Sequence, residues 1–177
     1  YVDIIELDPD QAEVEWLIVQ AHKTETGGAT KLRYPTALEF RKLTWVSIGQ
    51  GYKGLIWFCW TDQDSNWEGI GNPNSRSRLD AIAAMGTRLT PDIRARILGT
   101  TKVSDEFSTT GGGTTALPID YDDAYVGTLY DAKKDIYYCV VCNHLTTEAE
   151  VTIDATGDLE GGLRNLETGI EIEIGES

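Results

Sequence analysis

The segment that closes the apolar run Gly54–Trp60 combines aromatic rings with polar side chains, the residue types that hold a polar ligand. Trp60 ends the run, and Asp62 and Trp67 follow in a stretch rich in Asp, Asn and Gly. Sheets of α/β proteins bind ligands at the carboxyl ends of their strands, so Trp60 and Trp67 are predicted to stack on a ligand ring. Asp62 and Asp64 could bind calcium through oxygen, but the spacing of a calcium-binding loop is missing, which favours a solvated loop.

Trp57 is predicted to belong to the protein core. Residues three apart in a strand point to opposite faces, so Trp57 and Trp60 cannot share a side. Trp60 lies nearer the rim of the sheet and is assigned to the ligand side, which leaves Trp57 to pack under the helices.

Four more polar residues follow apolar segments. Asp8 and Asp10 come after VDIIEL, and Gln20 and His22 close the segment WLIVQAH. The two carboxylates could act as general acid or base; alternatively they cap an Asp-Pro-Asp turn, the interpretation favoured for Asp10. Gln20 and His22 could hydrogen-bond ligand hydroxyl groups, and His22 could transfer a proton. The alternative for both is a hydrogen-bonded residue at the rim of the sheet.

Strand and helix patterns alternate in the first part of the chain. Trp16–Ala21 predicts a strand, and polar Lys23–Lys31 predicts a loop. Thr36 precedes Glu39 by three residues, the capping-box spacing of a helix start, and the glycines of GQG end this helix. A helix that leads into the continuously apolar Gly54–Trp60 predicts an α/β layer fold, with a parallel sheet buried on both faces.

A β-rich part is predicted after two further helices, which begin near Ser77 and Thr90, the latter followed by a helix-starting proline. The flexible GGGTT at Gly111–Thr115 separates the parts and predicts domains 1–110 and 111–177. Short strands separated by turns are typical of an antiparallel β-sandwich. The predicted strands are Lys102–Phe107, Ala124–Tyr130, Ile136–Asn143, Ala149–Asp154, Gly162–Leu166 and Ile170–Ile174.

Charge and composition exclude several classes of partner. The 177 residues carry a formal net charge of −14, with 29 acidic and 15 basic residues, which argues against nucleic acid and fits a neutral or cationic partner. No stretch reaches the roughly 18–20 apolar residues of a membrane helix. The opening YVDIIELD already predicts a buried strand, which indicates a processed chain or a fragment.

Neither a metal nor an organic cofactor is predicted. Cys139 and Cys142 form a C-x-x-C motif in the strand-like YYCVVCN, where a spacing of three places the thiols on opposite faces. No second Cys/His pair stands at zinc-finger spacing, so buried free thiols are expected. No Gly-rich phosphate loop follows any strand.

The segments RYPTALEFR, GYKGLIWFCW and YYCVVCNHL…RNLETGIEIEI resemble the C-terminal end of a glycoside-hydrolase (β/α)8 barrel with a trailing β-sandwich. The resemblance covers most of the chain. It implies that VDIIELDPD and WLIVQAH are the sixth and seventh barrel strands and that GYKGLIWFCW is the eighth. The first five strands would then lie in a missing N-terminal segment, and that segment or a second copy of the chain is the expected protein partner.

The resemblance further implies cleavage of glycosidic bonds by a pair of carboxyl groups. Asp8 is implied as a catalytic residue, although many barrel glycosidases carry a glutamate at the end of the seventh strand, where this chain has Gln20-Ala21-His22. The main catalytic carboxylate is therefore expected from the missing part. Barrel sites gather at the carboxyl ends of strands, which implies these substrate-binding residues: Gln20, His22, Trp60, Trp67 and Asp62.

A second hypothesis assigns the chain no catalysis. It is then a carbohydrate-binding or assembly module, whose exposed sheet edges and incomplete barrel associate with another segment or with a second copy. Asp8→Asn distinguishes the two hypotheses, because an enzyme loses turnover and keeps binding.

Overall fold

The computed structural model describes residues 16–26, 29–61, 67–103, 107–110, 124–143, 152–155, 163–166, 168–169 and 171–172. Helices and small sheets alternate in this part of the chain, which confirms a mixed α/β fold at the coarse level. The chain divides into two compact units, Tyr1–Gly86 and Thr87–Ser177. The barrel, the sandwich and the boundary after residue 110 stay predictions.

The first unit is built on a parallel pair of strands with a helix between them. Its elements are β1 (Trp16–Gln20), β2 (Lys23–Thr26), β3 (Ala29–Leu32), α1 (Ala37–Gly49), β4 (Gly54–Phe58), β5 (Trp67–Glu68), a 3-10 turn (Pro73–Ser75) and the start of α2 (Arg76–Arg88). β1 pairs with β4 in parallel, so Trp16 lies opposite Gly54 and Gln20 opposite Phe58. Their carboxyl ends therefore meet at one edge of the sheet.

The segment predicted as the loop Lys23–Lys31 forms a hairpin instead. β2 pairs antiparallel with β3 and with the short β5. Lys, Thr and Glu dominate these strands, so no alternation of apolar and polar residues marks them in the sequence. The hairpin extends the chain beyond the carboxyl end of β1.

The start of α1 confirms the predicted capping box. The Thr36 hydroxyl accepts from the Glu39 N–H at 3.2 Å, and the Glu39 carboxylate accepts from the Thr36 N–H at 2.7 Å. Arg33 donates to both oxygens of that carboxylate at 2.6 and 2.7 Å. The helix start and the chain before it are thus tied together, which fixes where α1 begins.

One face of the β1–β4 pair is packed. Phe40 of α1 is fully buried, and its ring meets that of Trp57 edge to face at 5.2 Å, which confirms Trp57 as a core residue. Phe40 clusters with Ala21 and Ile70, and apolar side chains of α2 pack against this cluster. The core of the unit therefore lies between the strands and the helices.

The other face of the same pair is open. Trp16, Ile18, Ile56 and Phe58 are 61%, 63%, 45% and 41% exposed, and the strand register places them on one side. The prediction that Gly54–Trp60 is buried on both faces is therefore wrong. The physical reason is that α1 covers only one side of these strands.

The second unit contains a helix and antiparallel sheets. Its elements are α3 (Pro91–Leu98), β6 (Thr101–Val103), β7 (Phe107–Thr110), β8 (Ala124–Asp131), β9 (Ile136–Asn143), β10 (Thr152–Ala155), β11 (Leu163–Arg164) and β12 (Glu171–Ile172). β8 lies between β6 and β9, while β7 pairs with β10 and β11 with β12. Thr90 caps α3 and Pro91 is in its first turn, as predicted. The segment predicted as one strand, Lys102–Phe107, belongs to two strands, β6 and β7.

Candidate functional site

The carboxyl end of the β1–β4 pair brings together Gln20, His22 and Trp60, three of the predicted site residues. The Gln20 amide nitrogen donates to the carbonyl of His22 at 2.8 Å and to that of Arg33 at 2.9 Å. Both of its donor hydrogens are thereby used, which fixes the orientation of the carboxamide. What the group can still offer a ligand is its oxygen, a hydrogen-bond acceptor.

His22 is buried at this edge. Its side chain is only 6% exposed, Nδ1 lies 2.9 Å from the carbonyl oxygen of Phe58, and its ring meets the Phe58 ring edge to face at 5.5 Å. A carbonyl accepts a hydrogen bond, so Nδ1 carries the proton in this contact. The imidazole therefore joins the ends of β1 and β4.

Trp60 stands in solvent at the end of β4. Its side chain is 59% exposed, and its carbonyl accepts from the Gly71 N–H at 2.7 Å. A Cβ at position 71 would lie 2.9 Å from Cε2 and 3.0 Å from Nε1 of the indole. The ring therefore lies close over the backbone of Gly71, an approach that the missing side chain of glycine permits.

A carboxylate that sequence analysis missed lies beside this edge. Glu68 is opposite Lys23 in the β2–β5 pairing, and its side chain is 40% exposed. Oε1 lies 3.4 Å from Nζ of Lys23, and Oε2 accepts from the hydroxyl of Tyr34 at 3.5 Å. The next residue, Gly69, is so close to the strand end that a Cβ there would lie 2.6 Å from the Trp60 carbonyl oxygen.

Tyr34 is itself held rigidly in this cluster. Its single hydroxyl hydrogen is shared between Glu68 Oε2 and the nearer Gly69 carbonyl at 3.2 Å, and the Arg78 guanidinium covers its ring at 4.1 Å from the centroid. A cation over an aromatic face is a stabilising contact. No local sequence pattern predicts the contact among Glu68, Lys23 and Tyr34, because this contact depends on a hairpin of polar residues.

The other predicted site residues are only partly placed. Asp8 and Asp62 lie outside the described residues. Trp67 is in β5, where its backbone is opposite Thr24. The roles predicted for these three residues stay predictions.

Metal chemistry has no candidate centre in the described ranges, where no three His, Cys, Asp or Glu side chains are grouped to hold an ion. Cys139 lies opposite Thr128 and Cys142 opposite Tyr125, so the two thiols are on opposite faces of β9, as predicted. Neither cysteine is in a disulfide, and burial raises the pKa of Cys139 to about 11. Likewise, no helix among the described residues is both long and apolar enough to cross a membrane.

The side chains at the β1–β4 edge are of the kinds that bind rings carrying hydroxyl groups. The Trp60 indole offers a flat apolar surface, while the Gln20 oxygen and the Glu68 carboxylate are acceptors for hydroxyl donors. No family model, curated protein or solved structure was found that matches the chain. The chemistry of this edge is therefore what indicates a function.

Proposed function

We propose that the chain binds carbohydrate at the carboxyl end of the β1–β4 pair and forms one wall of the substrate cleft of a glycoside hydrolase. The observation that carries this proposal is the Trp60 indole, 59% exposed and held over Gly71. The indole offers a large flat apolar surface at the carboxyl ends of parallel strands, where α/β sheets bind ligands. Pyranose rings have an apolar face that suits an indole, and their hydroxyl groups suit the oxygen of Gln20.

The parallel pair supports the barrel context of this proposal. β1, α1 and β4 have the order strand, helix and neighbouring parallel strand, the repeating unit of a (β/α)8 barrel, with the β2–β3 hairpin inserted between β1 and α1. Barrels fill their interior with large apolar side chains, which is the character of the open face. In this proposal a further barrel segment closes the barrel and brings the main catalytic carboxylate, Asp8 belongs to the catalytic groups, and residues 111–177 form the trailing sandwich.

Binding of neutral oligosaccharides tests the proposal, measured by titration calorimetry on the chain and on two tryptophan variants. Trp60→Ala is expected to weaken binding by roughly tenfold, as the loss of a stacking contact does. Trp16→Ala is the matched control, because Trp16 is 61% exposed but lies at the amino end of β1. It should change affinity less than about twofold.

Two results would contradict the carbohydrate site. One is that no neutral oligosaccharide binds at millimolar concentration. The other is that Trp16→Ala and Trp60→Ala weaken binding equally, which would assign the affinity to exposed tryptophan in general.

The open face of the β1–β4 pair favours a second candidate function, assembly with another copy of the chain. Parallel sheets are normally covered on both faces, and Ile18 and Ile56 lie opposite each other at the centre of the bare one. Sedimentation equilibrium should then show a dimer that the double substitution Ile18→Ser, Ile56→Ser dissociates. Leu38→Ser is the control, since Leu38 is 44% exposed on α1. A chain that stays monomeric at high concentration excludes this candidate.

A further inference from the structure

We infer that Gly71 is a positioning residue of the carbohydrate site: its missing side chain lets the Trp60 indole lie against the turn that follows β5, where the ring forms a fixed platform for a sugar. This inference rests on the proposed function and deepens it. Gly71 is assigned no contact with the ligand and acts through Trp60.

The contact between the ring and the turn is the first support. A Cβ at position 71 would lie 2.9 Å from Cε2 and 3.0 Å from Nε1 of the Trp60 indole, too close for any side chain. A residue larger than glycine would therefore push the ring away from the turn. The Trp60 side chain is 59% exposed, so the surface away from Gly71 is open to a ligand.

The backbone beneath the ring is anchored in the core, which is the second support. Ile70 donates to the Cys59 carbonyl at 2.8 Å, and its side chain, 3% exposed, packs in the cluster of Phe40. Gly71 donates to the Trp60 carbonyl at 2.7 Å. Because the turn is held in this way, a larger residue at position 71 displaces the exposed ring more readily than the buried backbone.

Ser75 holds the same turn from its other end. Ser75 is fully buried, and its hydroxyl shares one hydrogen between the carbonyls of Ile70 and Asn72 at 2.5 and 2.6 Å. Its N–H also donates to the Asn72 carbonyl at 2.8 Å. A side chain that bonds the backbone of a turn favours one conformation of that turn, so the indole lies on an ordered base.

An ordered platform lowers the entropic cost of binding. An exposed side chain that rotates freely loses this freedom when a ligand orders it, and the loss reduces affinity. The indole that lies against Gly71 is already restricted before the ligand binds, so more of the stacking energy is realised as affinity. Gly71 is therefore expected to affect affinity without touching the sugar.

The test combines titration calorimetry with fluorine NMR of the chain labelled with 5-fluorotryptophan. The ligands are the neutral tetramers of glucose and of N-acetylglucosamine. Gly71→Ala is expected to weaken binding about three- to tenfold and to shift the Trp60 resonance, which is assigned from its absence in Trp60→Phe. In a Trp60→Ala background the same substitution should change affinity less than about twofold, because no ring is left to position.

Two other glycines provide matched controls. A Cβ at Gly69 would lie 2.6 Å from the Trp60 carbonyl oxygen, as one at position 71 would, but its three nearest atoms are all backbone. Gly69→Ala therefore reports the disturbance of the backbone alone and should weaken binding less than Gly71→Ala does. A Cβ at Gly86 in α2 would meet no atom within 4 Å, so Gly86→Ala should leave both measurements unchanged.

The outcomes separate the inference from the proposed function. If Gly71→Ala binds as the parent does and the Trp60 resonance is unshifted, the inference is overturned and the carbohydrate site stands. Equal losses in Gly69→Ala and Gly71→Ala, or a loss that persists without the Trp60 ring, overturn it as well. If neither tetramer binds the parent chain, the carbohydrate site itself is rejected, and the inference falls with it.

Circular dichroism shows which variants are folded. If Gly71→Ala is unfolded but folds when combined with Trp60→Ala, overlap with the ring is the cause, which supports the inference. If both are unfolded, Ser75→Ala replaces them, because it loosens the turn and keeps the glycine. It should broaden the Trp60 resonance and weaken binding about two- to threefold; an unchanged resonance or affinity overturns the inference.

Discussion

Two pairs of apolar strands in this chain differ in whether their large apolar side chains are exposed or buried. The parallel β1–β4 pair exposes Trp16, Ile18 and two further large side chains on one face, whereas Leu129 and Val140 of the antiparallel β8–β9 pair are buried. The first pair is joined by a long crossover whose helix covers one face, and the second by the tight turn after Asp131. The strands of an antiparallel hairpin can therefore pair across a short turn, while a parallel pair with a crossover helix on one face needs a second layer on the other.

The largest effect expected from this comparison is on the packed face of the parallel pair. Phe40→Ala should lower the free energy of unfolding of the first unit by about 3–5 kcal/mol, since a fully buried ring leaves a cavity. Phe58→Ala is the matched control on the open face, and at 41% exposure it should cost about 1 kcal/mol or less. All five tryptophans lie between residues 16 and 67, so their emission during urea unfolding reports this unit. Equal losses would mean that the open face is covered in solution.

The corresponding substitution in the hairpin is Leu129→Ala. Leu129 is 1% exposed, and its truncation should cost the second unit about 2–5 kcal/mol. Ile136→Ala, at a side chain 38% exposed on the same strand pair, should have a smaller effect. Hydrogen exchange of peptides from residues 124–143 measures both. Comparable losses at the two positions would show that Leu129 is not more deeply buried than Ile136 in solution.

A smaller effect is expected where the crossover helix begins. Thr36→Ala removes the N-cap and should cost about 1 kcal/mol in the first unit. Arg33 donates to Glu39 and, with the help of the cap, lowers the pKa of that carboxyl to about 2. A lowered pKa stabilises the fold above the unfolded value of about 4.3, and this stabilisation is lost as the pH falls toward 2.

Glu39→Gln tests this pH dependence separately. The carboxylate is partly exposed, so solvent screening limits its contribution to about 1 kcal/mol or less. Urea unfolding of the parent between neutral pH and about pH 2.5 should lose more stability than unfolding of the variant does. Identical pH profiles would show that the Arg33–Glu39 pair makes no contribution.

The remaining expected effect is on the reactivity of a thiol in β9 and leaves stability unchanged. Burial raises the pKa of Cys139 from 9.0 to about 11, which lowers the thiolate fraction near pH 8 by roughly a hundredfold. Alkylation of Cys139 by iodoacetamide, followed by mass spectrometry, should therefore be much slower in the folded chain than in urea. Similar rates in both conditions would indicate that the hairpin opens readily.

The sequence predicts the elements whose signals are local. The capping box at Thr36 and Glu39 and the Thr90-Pro91 start identify two helices, because a cap bonds residues within one turn. β9 has the predicted bounds, Ile136–Asn143. Trp57 is assigned correctly to the core because strand geometry allows only one of two tryptophans to face the ligand side.

Nonlocal contacts explain what the sequence does not reveal. The hairpin of β2 and β3 is made of polar residues, so its pairing carries no hydrophobic pattern. Glu68 reaches Tyr34 and Lys23 only after this hairpin pairs with β5. The exposure of Phe58 also escapes prediction, since an apolar strand has the same composition whether one or both faces are covered.

The glycine that begins β4 has a consequence for how the parallel strands find their alignment. A Cβ at Gly54 would overlap the Trp16 indole, so only glycine fits beneath that ring. A slip of one residue would reverse the faces of the strand, and a slip of two would bring Tyr52 or Ile56 under the indole. The contact between Trp16 and Gly54 is therefore compatible with only one register between β1 and β4, although 33 residues of chain separate these strands.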